Sequence, residues 1–334
     1  MISQILPGIF RLRIPVPGAL KSMNCYLLQN NRGWSAVDAG PNLPGGREKW
    51  EIALKDLNIG FNDIKQIIIT HSHIDHIGLA GWLQEMSDAP VLMSELEREV
   101  AQKYQNEEAL NSLGFNEGML RLGFKEEELD KLRNIVGSVT YIVQPWPEIQ
   151  VLNDSSIRLG NRDWETILGA GHTDAHLSLF NRHDGILLSG DQILTTISTV
   201  IQYPNEYVVN PLGEYLQSLQ MLSQLPVQMV LPAHGEPFPD LGARVRQLYQ
   251  HHDRRIRFIL DGLEDQPIGM RAIISKLFGP DLDLFNLFLA AGEVLGHLLL
   301  LIHRGIVGVS EDPESGQFTY YQQAGFQYNG NLFE

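Results

Sequence analysis

The sequence predicts a layered α/β (α+β) protein. Short β-branched or aromatic runs alternate with amphipathic stretches of helical spacing along the chain. Several runs end in glycine-containing turns, where a strand can hand a side chain to a loop. The 334 residues, 43% hydrophobic and 19% charged, suffice for one large domain and a small one, with a core that needs no cross-links.

Residues 5–40 read as short strands at 9–14, 25–28 and 34–37, separated by Pro and Gly and closed by the turn Asp38-Ala39-Gly40-Pro41. Residues 46–58 have helical spacing, with Trp50, Leu54 and Leu57 on one side. A strand at 67–70, a histidine-rich loop and a helix over 78–86 follow. Residues 94–135 form a helical insertion, with helical patterns at 95–104, 110–113 and 126–135. Its apolar members (Leu113, Phe115, Met119, Leu120, Leu122, Phe124) exceed what a solvated loop needs. The insertion is therefore either a helical hairpin packed on the core or a lid that walls a substrate pocket. Strands resume at 139–143, 157–159, 164–168, 177–180 and 186–189. A helix with an apolar stripe covers 212–224, and a strand at 228–231 leads into Pro232-Ala233-His234-Gly235.

A boundary is expected near residue 240, dividing a domain over 1–240 from a smaller one over 241–334. In the second, a helix over 241–262 gathers Val245, Leu248, Tyr249, Ile256, Ile259 and Leu260 on one face. Arginines 244, 246, 254, 255 and 257 spread over the remainder as a solvated face. A short helix at 270–278, a long apolar helix ending at Arg304, and strands at 306–310 and 317–322 complete a winged-helix outline.

Charge and cysteine content narrow the function classes. The net charge is −15, and the segment after residue 240 carries eight Lys and Arg against eleven Asp and Glu. A winged helix that docks on nucleic acid should be basic, so nucleic acid is not the expected partner. The single cysteine, Cys25, lies in an apolar run and reads as a buried strand thiol, which excludes an intramolecular disulfide and a cysteine-based metal site. Residues 1–17 lack an apolar segment behind a basic start, so no secretory signal is expected. The apolar stretch 287–302 is interrupted by Gly292, Glu293, Gly296 and His297 and reads as a buried helix, not a membrane span. Together these features predict a cytoplasmic protein with a small-molecule substrate. The oligomeric state stays open, a homo-oligomer included.

The chemistry is concentrated in Thr70-His71-Ser72-His73-Ile74-Asp75-His76-Ile77-Gly78, which packs three imidazoles and a carboxylate behind the run Ile67-Ile68-Ile69. Imidazole and carboxylate bind first-row metal ions. Three further candidates stand in glycine-containing turns after predicted strands: His172 in Gly171-His172-Thr173, Asp191 in Gly190-Asp191, and His234 in Pro232-Ala233-His234-Gly235. Asp38, after another strand, is placed to brace the site from behind. The remaining histidines (176, 183, 251, 252, 297, 303) are assigned to structure or surface, with His176 near enough to His172 to support the site.

In order and spacing, these four motifs resemble the metallo-β-lactamase fold superfamily over some 230 residues. The resemblance implies an αββα four-layer sandwich with a dinuclear metal site at one edge. By it, His71, His73 and His172 hold one ion, Asp75, His76 and His234 hold the other, and Asp191 bridges them. Two divalent ions are then the expected cofactors, zinc first, with iron or manganese as alternatives. Such a pair shares a hydroxide generated near neutral pH, and Asp75 orients it and passes a proton.

Within the superfamily, Asp191 stands where antibiotic-hydrolysing enzymes of the cysteine-ligand type carry Cys. His73 stands where flavodiiron proteins typically carry Glu. The segment 210–219, the motif His251-His252-Asp253-Arg254-Arg255-Ile256 and the tail with Glu293 and His297 resemble a glyoxalase II-like hydrolase subgroup with a C-terminal winged-helix domain. Residues 192–204, however, lack the sequence associated with glutathione binding. The expected reaction is hydrolysis of a small thioester or ester, the apolar insertion supplying a pocket wall and Tyr203 or Tyr207 a hydrogen bond to the oxyanion. The alternatives are a metal-dependent single-strand endoribonuclease, a lactonase, and a metal-binding scaffold without turnover.

Overall fold

Strand alternation builds two sheets, each with two faces to bury. The computed structural model describes residues 2–105, 113–205, 207–263, 266–326 and 328–330, and the backbone alone for residues 19, 113–115 and 136–141. Strands β1 (Ile2–Leu6), β2 (Ile9–Pro15), β3 (Ser22–Asn30), β4 (Gly33–Val37), β5 (Ile64–Ile68), β6 (Val91–Met93) and β7 (Ile149–Val151) form a seven-stranded sheet in chain order. It is antiparallel from β1 to β4 and parallel from β4 to β7. Strands β8 (Ser156–Leu159), β9 (Arg162–Gly169), β10 (His176–Asn181), β11 (Ile186–Gly190) and β12 (Met229–Pro232) form the second sheet, in the order β12-β11-β10-β9-β8. Only β11 and β12 run parallel in it.

The period of two sorts the side chains into three apolar layers. Met23, Cys25, Leu27 and Ile67 point outward against Trp50 and Leu54 of α1 (Gly46–Asp56) and Leu83 of α3 (Ala80–Ser87). Their neighbours Tyr26, Leu28 and Ile68 point inward and meet Trp164, Leu177, Leu179, Leu188 and Leu231 of the second sheet. On that sheet's far face, Phe180, Leu187 and Val230 pack on Leu212, Leu216 and Leu219 of α7 (Pro211–Ser223). The result is the expected sequence of helix, sheet, sheet and helix. Cys25 is buried, as expected, and burial pushes its thiol well above the usual range.

The outer core does not stop at residue 240. It continues into Val245, Leu248 and Ile256 of α8 (Leu241–Gly262), Ile273 of α9 (Met270–Phe278), and Leu298 and Leu301 of α10 (Leu284–His303). Val307 of β14 (Val307–Glu311) and Tyr320 of β15 (Phe318–Gln322) join it, and with β13 (Ile268–Gly269) these strands form a third sheet in the order β13-β15-β14. Among the described residues, α10 is the one helix long and apolar enough to cross a membrane, and its apolar side is buried in this core.

Three sequence expectations change. The β-branched residues near 139–143 do not form a strand: α6 (Glu126–Ile142) runs through them, and the place beside β6 is taken by β7. Local β-propensity yields here to packing, since Leu129 and Leu132 bury one side of α6 in the outer core. The insertion's Met119, Leu122 and Phe124 are buried in that same core, and Arg271 Nε of α9 donates to Gly123 O at 2.8 Å. These three side chains are therefore core, not an exposed pocket wall. Residues 110–112 lie outside the described residues, as do the side chains of Leu113 and Phe115. Finally, Arg244 does not belong to the solvated face of α8. It is buried, and its guanidinium donates to Leu194 O (2.7 Å) and Ile197 O (2.6 Å), tying α8 to the loop after β11.

The helix α3 can approach its neighbours because it carries Gly81. A Cβ there runs into the backbone of Pro145 and Trp146. Gly81→Ala should force the segment off α3 and lower stability by about 1–3 kcal/mol, the usual cost of overpacking, read as a lower denaturation midpoint.

Candidate metal centre

Strand ends from both sheets meet at one edge. The loop after β5 leads into α2 (Ile74–Ile77) and carries residues 70–76; the turn between β9 and β10 carries His172; the ends of β11 and β12 release Asp191 and His234. Hydrogen bonds across the sheets fix this edge. Leu177 N–H donates to Thr70 O (2.8 Å), and Asn24 N–H donates to Ala233 O (2.7 Å). Asn24 Nδ2 and Tyr26 Oη both donate to Pro232 O, at 2.9 and 2.8 Å. Gly171 is required on two counts: its φ is +102°, and a Cβ would strike Pro211 O and Tyr215 Cβ.

The seven side chains named from the sequence converge. Ligand atoms of His71, His73 and His172 lie within 4.8 Å of one another, as do those of His71, His76 and Asp191, and those of Asp75, His76 and His234. Asp191 stands between the first and last of these groups. Its Oδ2 is 3.6 Å from His172 Nε2 and 3.6 Å from His76 Nε2, while its Oδ1 is 3.5 Å from His234 Nε2. Asp75 Oδ2 is 3.2 Å from His234 Nε2.

Outer hydrogen bonds decide which nitrogen of each ring faces inward. His76 Nδ1–H donates to Asp38 Oδ2 (2.9 Å), His172 Nδ1–H to Val200 O (2.8 Å), and His234 Nδ1–H to Ser22 O (3.0 Å). Asp38 takes the hydroxyl proton of Thr70, whose Oγ1 lies 3.0 Å from each carboxylate oxygen and 3.0 Å from His71 Nδ1. His71 must therefore also donate from Nδ1. With their protons outside, His71 Nε2 and His172 Nε2 face each other at 3.2 Å as two lone pairs. Such a contact is repulsive until a cation stands before it. His76 Nε2 and Asp191 Oδ1 are likewise buried without a hydrogen-bond partner. The donor set and its orphaned atoms fit divalent first-row metal ions.

Electrostatics point the same way. Burial, then the neighbouring imidazoles, holds His71 well below the usual histidine range, and burial pushes His73 down to about 3. Burial opposes charge on His76 too, but Asp38, Asp191 and Asp75 outweigh it and hold its pKa well above normal. Burial works against ionisation of Asp191, and the surrounding imidazoles, His234 and His76 first, overcome it and keep it a carboxylate.

Two further supports are His176 and Glu97. His176 Nε2 accepts Asp191 N–H at 3.0 Å and so positions the backbone of Asp191. Glu97, in α4 (Glu95–Gln105), is fully buried; its Oε2 accepts Ser72 N–H (2.9 Å) and its Oε1 accepts Ala175 N–H (3.0 Å). One carboxylate thereby joins the loops that carry His71, His73 and His172. The sequence does not single out Glu97, because the three-residue strand before it, β6, is too short to leave a signal. The tyrosines are differently employed from what was expected. Tyr203 Oη donates to Phe288 O (2.6 Å) and its ring stacks on Phe288, while Tyr207 Oη lies 3.2 Å from Glu99 Oε2. Their hydroxyls are engaged away from the seven side chains.

Glu97→Gln turns one accepting oxygen into a donor facing a backbone N–H. The expected result is a loss of about 1.5–3 kcal/mol in stability and weaker retention of divalent metal, measured by denaturation and equilibrium dialysis. Asp38→Asn should weaken metal binding by about 10–100-fold while the fold survives, measured the same way.

The chain is similar to proteins of this architecture over nearly its whole length. It is 27% identical over 309 residues to the "Probable metallo-hydrolase YqjP" of Bacillus subtilis, covering 88% of this chain and 92% of that one. A beta-lactamase domain protein from Burkholderia ambifaria superposes with TM-score 0.83 at 27% identity, over 96% of this chain and 93% of that one. A metallo-beta-lactamase family protein from Thermus thermophilus superposes with TM-score 0.81 at 28% identity, over 96% of this chain and 100% of that one. Residues 20–234 match the metallo-beta-lactamase superfamily as a whole, and with a match of that extent the chain belongs to it.

Proposed function

We propose that this protein is a metal-dependent hydrolase of a small thioester or ester. The observation that carries the reading is the pair of facing, proton-free nitrogens of His71 and His172, with the Asp191 carboxylate beside them. His71, His73 and His172 would hold one divalent ion, Asp75, His76 and His234 a second, and Asp191 would lie between. When bound, such ions bring the pKa of water toward about 7 and polarise the oxygen under attack.

The chain's own residues supply the rest. Asp75, partly exposed beside His234, is placed to orient a water and take its proton, and the nearby imidazoles, against the effect of burial, hold its carboxyl at about 2. The loop between Asp191 and α7 exposes Ile197, Val200 and Val209, and Val200 O also anchors His172. Exposed apolar side chains on the loop that anchors His172 suit an acyl group better than bare phosphates. The net charge of −15 argues against RNA on the same grounds. Zinc is the first choice of metal for five imidazoles and two carboxylates, with iron or manganese behind it.

The test is a panel of acyl thioesters, esters, lactones, phosphodiesters and RNA offered to the metal-loaded protein. Thioester or ester turnover is expected, and His73→Ala should lose bound metal and hydrolysis together. Unchanged turnover in that variant refutes the mechanism, and RNA cleavage without acyl turnover would favour the endoribonuclease.

A further inference from the structure

A second group of histidines lies away from the seven, where α8 and α10 cross. His251 and His252 are adjacent on α8; Glu293 and His297 are one turn apart on α10. His252 is fully buried, and ligand atoms of His251, His252 and Glu293 lie within 4.8 Å of one another.

The placement of protons shows what this cluster lacks. A carbonyl oxygen only accepts, so His297 Nδ1–H donates to Glu293 O at 2.7 Å. The neutral ring then accepts at Nε2, which takes the Nδ1–H of His252 at 3.1 Å. His252 Nε2 is left as a lone pair, buried and without a hydrogen-bond partner. Burial pushes the His252 pKa down to about 3 and lowers that of His297, consistent with a neutral chain of rings. Glu293 Oε1 and His251 Nε2 are also buried without a hydrogen-bond partner, 3.6 Å apart, too far for a hydrogen bond. Carboxylate Oε1 of Glu293 and the Nε2 lone pair of His252 therefore meet beside His251 in a buried place where no hydrogen bond satisfies them, an arrangement that costs free energy until a positive charge answers it.

We propose that His251, His252 and Glu293 form a further divalent-cation site that clamps α8 to α10. Two imidazoles and one carboxylate are a donor set for zinc or a similar first-row ion; magnesium and calcium, which prefer oxygen, are excluded by it. His297 acts from behind by fixing the His252 tautomer. The clamp is structural, but it backs the main centre. The His252 ring lies 5.8 Å from that of Tyr215, whose Oη donates to Gln192 O next to Asp191. Gly292, beside Glu293, packs against Tyr203 of the loop that anchors His172.

The test counts metal in the full-length protein. Wild type, Glu293→Gln and His251→Ala are stripped with chelator, reloaded with zinc, freed of excess by gel filtration and analysed by elemental mass spectrometry. Wild type should retain about one zinc per chain more than either variant, and zinc should raise its melting temperature further. Equal zinc content in wild type and both variants overturns the site. His251 is partly exposed, so His251→Ala keeps the comparison valid even if Glu293→Gln fails to fold. The difference of about one zinc should persist when His71→Ala is introduced into wild type and variants alike, which separates this site from the seven-residue centre.

Discussion

A buried carboxylate among imidazoles is the constraint on which the architecture turns. Asp191 sits within 3.6 Å of three histidine nitrogens contributed by three distant segments. Removing a carboxylate from water is unfavourable unless positive charge or donors replace the lost hydration. Such a group persists only where the fold holds its partners rigidly; here His172 and His234 stand in turns just past strand ends, and His76 stands in α2 behind the loop after β5. The two sheets must therefore present their ends at one edge. The apolar layer between them and the bonds from Asn24, Tyr26 and Leu177 keep that edge in register.

Rigidity at the edge is reinforced from outside. Asp38, Val200, Ser22 and Thr70 each engage an Nδ1, so four rings present Nε2 inward without conformational choice. Glu97 binds two of the loops to one another through backbone N–H groups alone. A site ordered before metal arrives loses little binding free energy to organising the chain, the usual reason for building metal sites on rigid elements.

The C-terminal helices extend the same logic. They share a core with α7 and do not stand apart, and Arg244 reaches from α8 into the loop after Asp191. The loop after Asp191 is thereby braced by α8. In the same loop Ile197 and Val200 keep their side chains exposed. The helical insertion, by contrast, commits Met119, Leu122 and Phe124 to the core.

The sequence by itself determined the layered fold, most strand and helix positions, and the seven side chains that converge. All of these leave local signals: period-two or period-3.6 hydrophobicity, and ligand-type residues in glycine turns after apolar runs. Tertiary structure decided what has no local signal. The segment at 139–142 is helix because α6 runs on from Leu129 and Leu132, which the outer core buries. Three-residue strands such as β6 exist only through their ladders, which hid Glu97. Arg244 looks like any surface arginine until the loop carbonyls it serves are folded beside it. The hydroxyl of Tyr203 is taken by α10, and His251 and His252 acquire meaning only when Glu293, some forty residues away, crosses them. Pattern reports what a residue shares with its neighbours in the chain; partnership across the fold depends on distances that pattern does not contain.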